Sequence, residues 1–191
     1  MPISPDPELT EHASAIEQQI ERAARRLTPK EFENLIGVPG RAVLRSLKEA
    51  LEADALSIWL ADPERKHLVV THTEPDPDFV GFEQPLTEGL VSLAFASEQC
   101  LCENQVYLNE NHSKRVDEAR GQVTCAMIAT PYYIAGHLRG VISCVQMKDS
   151  PDAPDPSGFR ARNMNRVRRT STVIERLVNY RLLTSLLELE L

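Results

Sequence analysis

The sequence predicts an α+β chain in which a middle of paired strands lies between helical ends. Three observations predict it. Apolar residues recur in steps of three and four at both ends of the chain. The central text switches to short runs of Val, Ile, Leu and Thr. Turn residues at Asp62–Lys66 and at Ala135-Gly136 divide those runs into two hairpins.

The elements follow in order. Asp6-Pro7 is a cap residue followed by proline at a first helical position, so a helix is expected over 7–27. Its apolar residues Leu9, Ala13, Ile16, Ile20, Ala23 and Leu27 form a seam that calls for a helical partner. Thr28-Pro29-Lys30-Glu31 is a capping box that starts a second helix, ending near Gly37. Pro39-Gly40 marks a third start, with Val43, Leu44, Leu47 and Leu51 on one face. Strands are expected at 55–61 and 67–73. Residues 74–86, rich in proline and acids, read as a loop. Thr87 is the expected cap of a short helix ending at Ser97, and 100–102 is a short strand. Residues 103–121 read as irregular, with one helical turn near 115–119. Two long strands, 123–134 and 139–147, precede a loop at 149–158.

A long helix is expected over 159–191. It carries two stripes: Val173, Leu177, Tyr180, Thr184, Leu187 and Leu191, and beside it Val167, Ser171, Ile174 and Val178. Two stripes imply two partners, the sheet on one side and another helix on the other.

Composition excludes several classes. The net charge of −7 argues against nucleic-acid binding and against anionic membrane surfaces, which need a basic patch or face. No run approaches the roughly 20 apolar residues of a bilayer span. The start, MPISPDPELTEH, lacks the pattern of a signal peptide, so the expected location is the cytoplasm. The four cysteines, Cys100, Cys102, Cys125 and Cys144, stand in apolar strand text without zinc-ligand spacing, so no metal site is expected.

Four passages carry a family resemblance: ADALSIWLAD (53–62), LTEGLVSLAFASEQCLCEN (86–104), YLNENHSKRVDEARGQVT (107–124) and AMIATPYYIAGHLRGVISCVQMKD (126–149). In this order they resemble the GAF family, especially the GAF modules of cyclic-nucleotide phosphodiesterases and bacterial sensors. The resemblance implies a GAF-like twisted antiparallel sheet with helices on one face and a small-molecule pocket on the other. It implies a helical extension at 1–39, a GAF domain over 40–180 whose last helix begins near 159, and a signalling helix end at 181–191.

The resemblance also carries candidate site residues. Asp117 and Glu118 match the Asp-Glu of the family's Asn-Lys-Phe-Asp-Glu signature, with Lys114 nearby and His112 where the phosphodiesterase modules have Phe. In the family this signature braces the loop over the pocket. Tyr107 matches an aromatic that lies against a bound base, and Thr124 a pocket threonine. Phe82, Leu90, Val91, Phe95 and Met127 are candidate apolar walls, equally suited to ordinary core. The free methionine-R-sulfoxide reductases, the enzymatic relatives, need a cysteine just after the pocket glycine and another in the irregular loop. Val91 holds the first place, and 103–121 contains no cysteine.

Arg160, Arg162, Arg166, Arg168 and Arg169 crowd the start of the last helix, as a solvated face or paired with the acidic loop 149–155. The expected function is therefore a non-catalytic sensory module. It would bind a cyclic nucleotide or another small metabolite and signal through a homodimer built on helices 7–27 and 159–191. An output domain beyond Leu191 is a candidate partner. Two other readings remain: a dimerisation module without ligand, and a thiol-based redox sensor or enzyme using Cys100, Cys102 or Cys125.

Overall fold

The computed structural model describes residues 7–148, 150 and 152–186, with side chains from His12 onward. The Asp6 cap, the Leu9 side chain, and Leu187 and Leu191 of the last helix lie outside the described residues. Helices α1 (Pro7–Arg25) and α2 (Pro29–Ala50) lead into β1 (Ala55–Ala61) and β2 (His67–Glu74). Then come β3 (Glu83–Pro85), α3 (Leu90–Ser97), β4 (Leu101–Glu103) and α4 (Arg115–Arg120). The hairpin β5 (Val123–Ile134) and β6 (His137–Lys148) precedes α5 (Ala161–Leu186).

The strands form one antiparallel sheet in the order β3-β2-β1-β6-β5-β4. Its two faces explain why the strand text does not alternate between apolar and polar. Leu56, Ile58 and Leu60 of β1 face the layer of α1, α2 and α5, in one core with Phe32, Ile36, Leu44, Ile174 and Val178. Trp59 and Ala61 face the other way, in a second core with Leu90, Val91, Phe95, Met127 and Val141. A strand covered on both faces reads as a continuous apolar run.

The capping box at Thr28 forms as the sequence requires: Glu31 N donates to Thr28 Oγ1 at 3.3 Å, and Thr28 N donates to Glu31 Oε2 at 2.8 Å. The second and third expected helices are both present and meet across a break at Gly37 (φ 54°, ψ −165°) within α2. The break and the missing N–H of Pro39 leave the carbonyls of Asn34 and Leu35 without helical donors. Arg181 of α5 supplies them, its Nη1 donating to both oxygens at 3.3 Å. Arg139, buried on β6, likewise donates to Arg25 O at 3.0 Å and docks the carbonyl end of α1 against the sheet.

Two expectations are corrected. Residues 83–85 are not loop: β3 pairs with β2 through Val69↔Glu83, Leu68↔Gln84 and His67↔Pro85. An edge position tolerates Pro85 because its missing N–H can face away from the ladder. Thr87 does not cap the short helix, because α3 begins after Gly89 with no side-chain cap. Of the two stripes on α5, Val167, Ser171, Ile174 and Val178 are buried, whereas Val173 and Tyr180 are 51% and 55% exposed. Thr184 departs from its stripe and is buried.

β6 passes so close to β1 at Gly140 that a Cβ there would lie 1.7 Å from the Trp59 carbonyl oxygen. The obstacle is backbone, so relief requires the two central strands to part. Gly140→Ala is expected to cost at least about 2 kcal/mol of unfolding free energy, measured by urea denaturation.

Candidate functional site

The sheet face opposite the long helices is roofed by α3, α4 and the loops around them. Between sheet and roof lies a cavity of about 40 Å³. Its floor comes from strand register. Ala55↔Val145 and Ser57↔Ser143 are direct β1–β6 partners, and all four line the cavity, with Trp59, Thr124 and Met127 beside them. Its roof comprises Phe79, Gln84, the Gly89–Val91 start of α3, His112, Ser113, Val116, Arg120 and Gln122. The lining thus mixes apolar walls with hydroxyl and amide groups. Trp59 Nε1 donates to Ser143 Oγ at 3.0 Å, and the Ser113 hydroxyl is buried without a protein partner.

Asp117 holds the roof to the sheet. Its Oδ1 accepts from Thr124 Oγ1 at 2.6 Å, and its Oδ2 accepts from Thr124 N at 3.1 Å and from His112 Nε2 at 3.0 Å. Burial pushes its pKa up, but the His112 and Thr124 hydrogen bonds together outweigh burial, and the carboxyl sits below its ordinary value. A carboxylate at this point therefore fixes both the irregular segment and the first residues of β5.

A second set of contacts closes the roof on the other side. Arg120 donates to Asp76 Oδ2 at 3.0 Å, and its guanidinium lies 4.9 Å over the Phe79 ring. Phe79 stacks on Phe82 at 4.6 Å, and both rings meet Trp59 edge-on at 6.3 Å. Arg115 pairs with Glu88 at 2.8 Å. These bonds tie α4 to the segment after β2 and to the approach to α3.

Of the residues singled out in the sequence, His112, Thr124, Leu90, Val91 and Met127 line the cavity, and Asp117 stands behind it. Phe82 supports Phe79 from outside the lining, and Phe95 is packed into the core under α3. Tyr107 lies away from the cavity. Its hydroxyl donates to Asp155 Oδ2 at 2.8 Å, and Lys148 Nζ lies 4.2 Å over its ring. Glu118 and Lys114 are exposed. Sequence reading missed Ser57, Trp59, Ser143, Phe79 and Arg120. Two small hydroxyl residues within apolar strands were the available signal for Ser57 and Ser143. Among the described residues no group of three or more His, Cys, Asp or Glu is placed to hold a metal ion. No described helix is long and apolar enough to cross a membrane.

A curled antiparallel sheet backed by long helices, with a roofed cavity on its other face, defines the chain as an α+β domain. The chain belongs to the GAF domain family, whose model matches residues 40–175. Among solved structures it is similar to the GAF domain of a phosphoenolpyruvate-protein phosphotransferase from Coxiella burnetii. That match has 18% identity and a TM-score of 0.61, and covers 87% of this chain and 92% of that one. It is similar also to the type II free methionine-R-sulfoxide reductase of Thermoplasma acidophilum, with 18% identity, a TM-score of 0.60 and coverage of 78% and 96%. The free methionine-R-sulfoxide reductase of Neisseria meningitidis, in complex with its substrate, matches at 14% identity and a TM-score of 0.59, covering 93% and 95%. At these identities the likeness is one of fold. No curated protein matches the chain in sequence.

The Asp117 bonds make acid stability a readout. Its carboxyl titrates below the ordinary value of 3.8, so its contribution is present above about pH 4 and is lost as pH falls through the native value. Asp117→Asn is expected to cost about 1–3 kcal/mol at pH 7. In urea melts from about pH 2 to about pH 7, the gap between variant and wild type should narrow below about pH 4.

Proposed function

We propose that this chain is a non-catalytic sensory GAF protein that binds a small polar or anionic metabolite beneath the roof and signals through α5 in a homodimer. The observation that carries this reading is the lining. Ser57, Ser143, Thr124, Gln84 and Gln122 converge under an apolar-walled roof, and no lining residue is acidic. Metabolite pockets have this build, mainly apolar with a few placed polar groups. Trp59 on the floor offers its ring to a planar ligand such as the base of a cyclic nucleotide.

Volume sets the mechanism. About 40 Å³ suits a few water molecules, whereas metabolite sites measure roughly 300 Å³ or more. Entry of a metabolite therefore requires the roof to lift, which breaks the Arg120–Asp76 pair. The roof is joined to α5 through the segment between β4 and α4. Asn104 grips the Phe159 backbone twice, its Oδ1 accepting from Phe159 N at 2.8 Å and its Nδ2 donating to Phe159 O at 3.0 Å. Tyr107, on the same segment, bonds Asp155 of the linker. A lifted roof thereby pulls on the entry to α5, and a ligand that prefers one roof position biases the helix.

Against catalysis stands the cysteine placement. None of the cavity-lining residues is a cysteine, and Val91 occupies the site next to Gly89–Leu90. Cys144 lies in the core on the helical side, where burial pushes its thiol up to about 12. Burial also raises Cys102 and Cys125. A thiol so shifted supplies little thiolate near neutral pH. The small cavity supports a second reading, a dimerisation module whose pocket has filled in.

Isothermal titration against cyclic nucleotides, amino acids and 2-oxo acids tests the first reading. One class is expected to bind, and Ser143→Leu, which fills the cavity floor, should abolish binding while the fold persists. Absence of binding by all three classes at millimolar concentration would leave the second reading.

The dimer rests on the exposed Val173 and Tyr180, on half-buried Leu177, and on Ile16 and Ile20 of α1, which this single chain leaves half-buried. Multi-angle light scattering at micromolar concentration is expected to report twice the chain mass, and Tyr180→Glu to shift it toward the monomer. A wild-type monomer would remove the dimer.

A further inference from the structure

The arginines at the start of α5 have no place in the reading above, and the structure gives them a shape. Arg162, Arg166 and Arg169 fall at i, i+4 and i+7, on one helix face. With Arg160 they line a cleft of about 720 Å³ between the first turns of α5 and the end of α2 at Ala50–Glu52. Ser157, Asn163, Asn165 and Thr170 complete the wall with further donors. Arg166 is anchored, its Nη1 donating to Ala50 O at 3.1 Å.

What marks this cleft is that four guanidiniums without a carboxylate partner among the described residues meet in it. Elsewhere on the molecule cations such as Arg41, Arg45, Arg115 and Arg120 pair with a carboxylate, and those that do not, such as Arg22, Arg65 and Arg139, stand on separate elements and donate to backbone carbonyls. Among the described residues none of Arg160, Arg162, Arg166, Arg168 or Arg169 pairs with a carboxylate, although the chain carries seven more acids than bases. Asp155 of the neighbouring linker is taken by Lys148 and Tyr107. Glu52 is the one acid in the cleft wall. Like charges at i,i+4, beside the positive end of a helix, oppose one another and the helix dipole. An anionic occupant reverses both effects.

We propose that this cleft binds a compact polyanion bearing two or more linked phosphate groups. Guanidinium forks match phosphate oxygens in pairs. Arg162 to Arg169 spans about 10 Å along the helix, longer than a single phosphate group. The chain's net charge of −7 disfavours a long nucleic acid, whose many phosphates would be repelled by the rest of the molecule. The cleft lies on the helical side of the sheet, so the proposal stands whether or not the roofed cavity binds a ligand.

The test is calorimetric titration of the full chain with tripolyphosphate, pyrophosphate and orthophosphate at low and at near-physiological salt. Tripolyphosphate is expected to bind at least about tenfold tighter than orthophosphate, and more weakly as salt rises. The double variant Arg162→Ser/Arg169→Ser is the control. Neither side chain donates a hydrogen bond within the described structure, so its thermal melt should match wild type, while tripolyphosphate affinity falls by roughly tenfold or more. Absence of binding at millimolar tripolyphosphate would overturn the proposal. So would equal affinity in the double variant, or tighter binding of a polyglutamate peptide.

Discussion

The pairing of β1 with β6 holds the centre of this molecule, and almost everything else is arranged by its register. Leu60 and Gly140 are partners, and the absence of a side chain at Gly140 lets the two backbones close against Trp59. From that point the alternation of the strands sorts each residue to a face. Leu56, Ile58 and Ile142 go to the helical core; Ser57, Trp59 and Ser143 go to the roofed side. A slip of one residue would exchange the two sets, burying the serines against α2 and α5 and leaving isoleucines in the cavity floor.

The two faces differ in how they are held. On the helical side the contacts are extensive and apolar, with α2 and α5 both pressed onto the sheet. On the other side α3 packs on the sheet through a second apolar core, while α4 and its loops are fastened chiefly by polar contacts, Asp117 to His112 and Thr124 and Arg120 to Asp76. Local opening follows the weaker set of contacts, so α4 and its loops are the part of the roof expected to open first.

Much of this order was legible in the sequence, and the exceptions have physical reasons. The β5–β6 hairpin announced itself through Ala135-Gly136, and the capping box at Thr28 forms as written. β3 stayed hidden because three residues containing Pro85 and Glu83 have no strand preference of their own; they are ordered by the open edge of β2. Gly89, not Thr87, starts α3, since the turn there is set by packing under Gln84 and Ser113 and not by capping chemistry. In the candidate site, His112, Thr124 and Met127 were reachable through family resemblance. Trp59, Ser57 and Ser143 were not singled out, because a strand buried on both faces hides which residues share a side. Tyr107 matched an aromatic of related pockets by position, yet Lys148 and Asp155 draw it to the linker.

The Arg181 bridge has a mechanical consequence. Its guanidinium occupies the gap that Gly37 and Pro39 open in α2, bonded to the carbonyls on the near side of the break. A piston stroke of α5 by one helical turn, about 5.4 Å, would pull that guanidinium out and leave both carbonyls without their protein donor. Small rotations about the shared contact would not. The bridge therefore couples the two helices at this point, resisting a slide of α5 along α2 more than a roll about the contact.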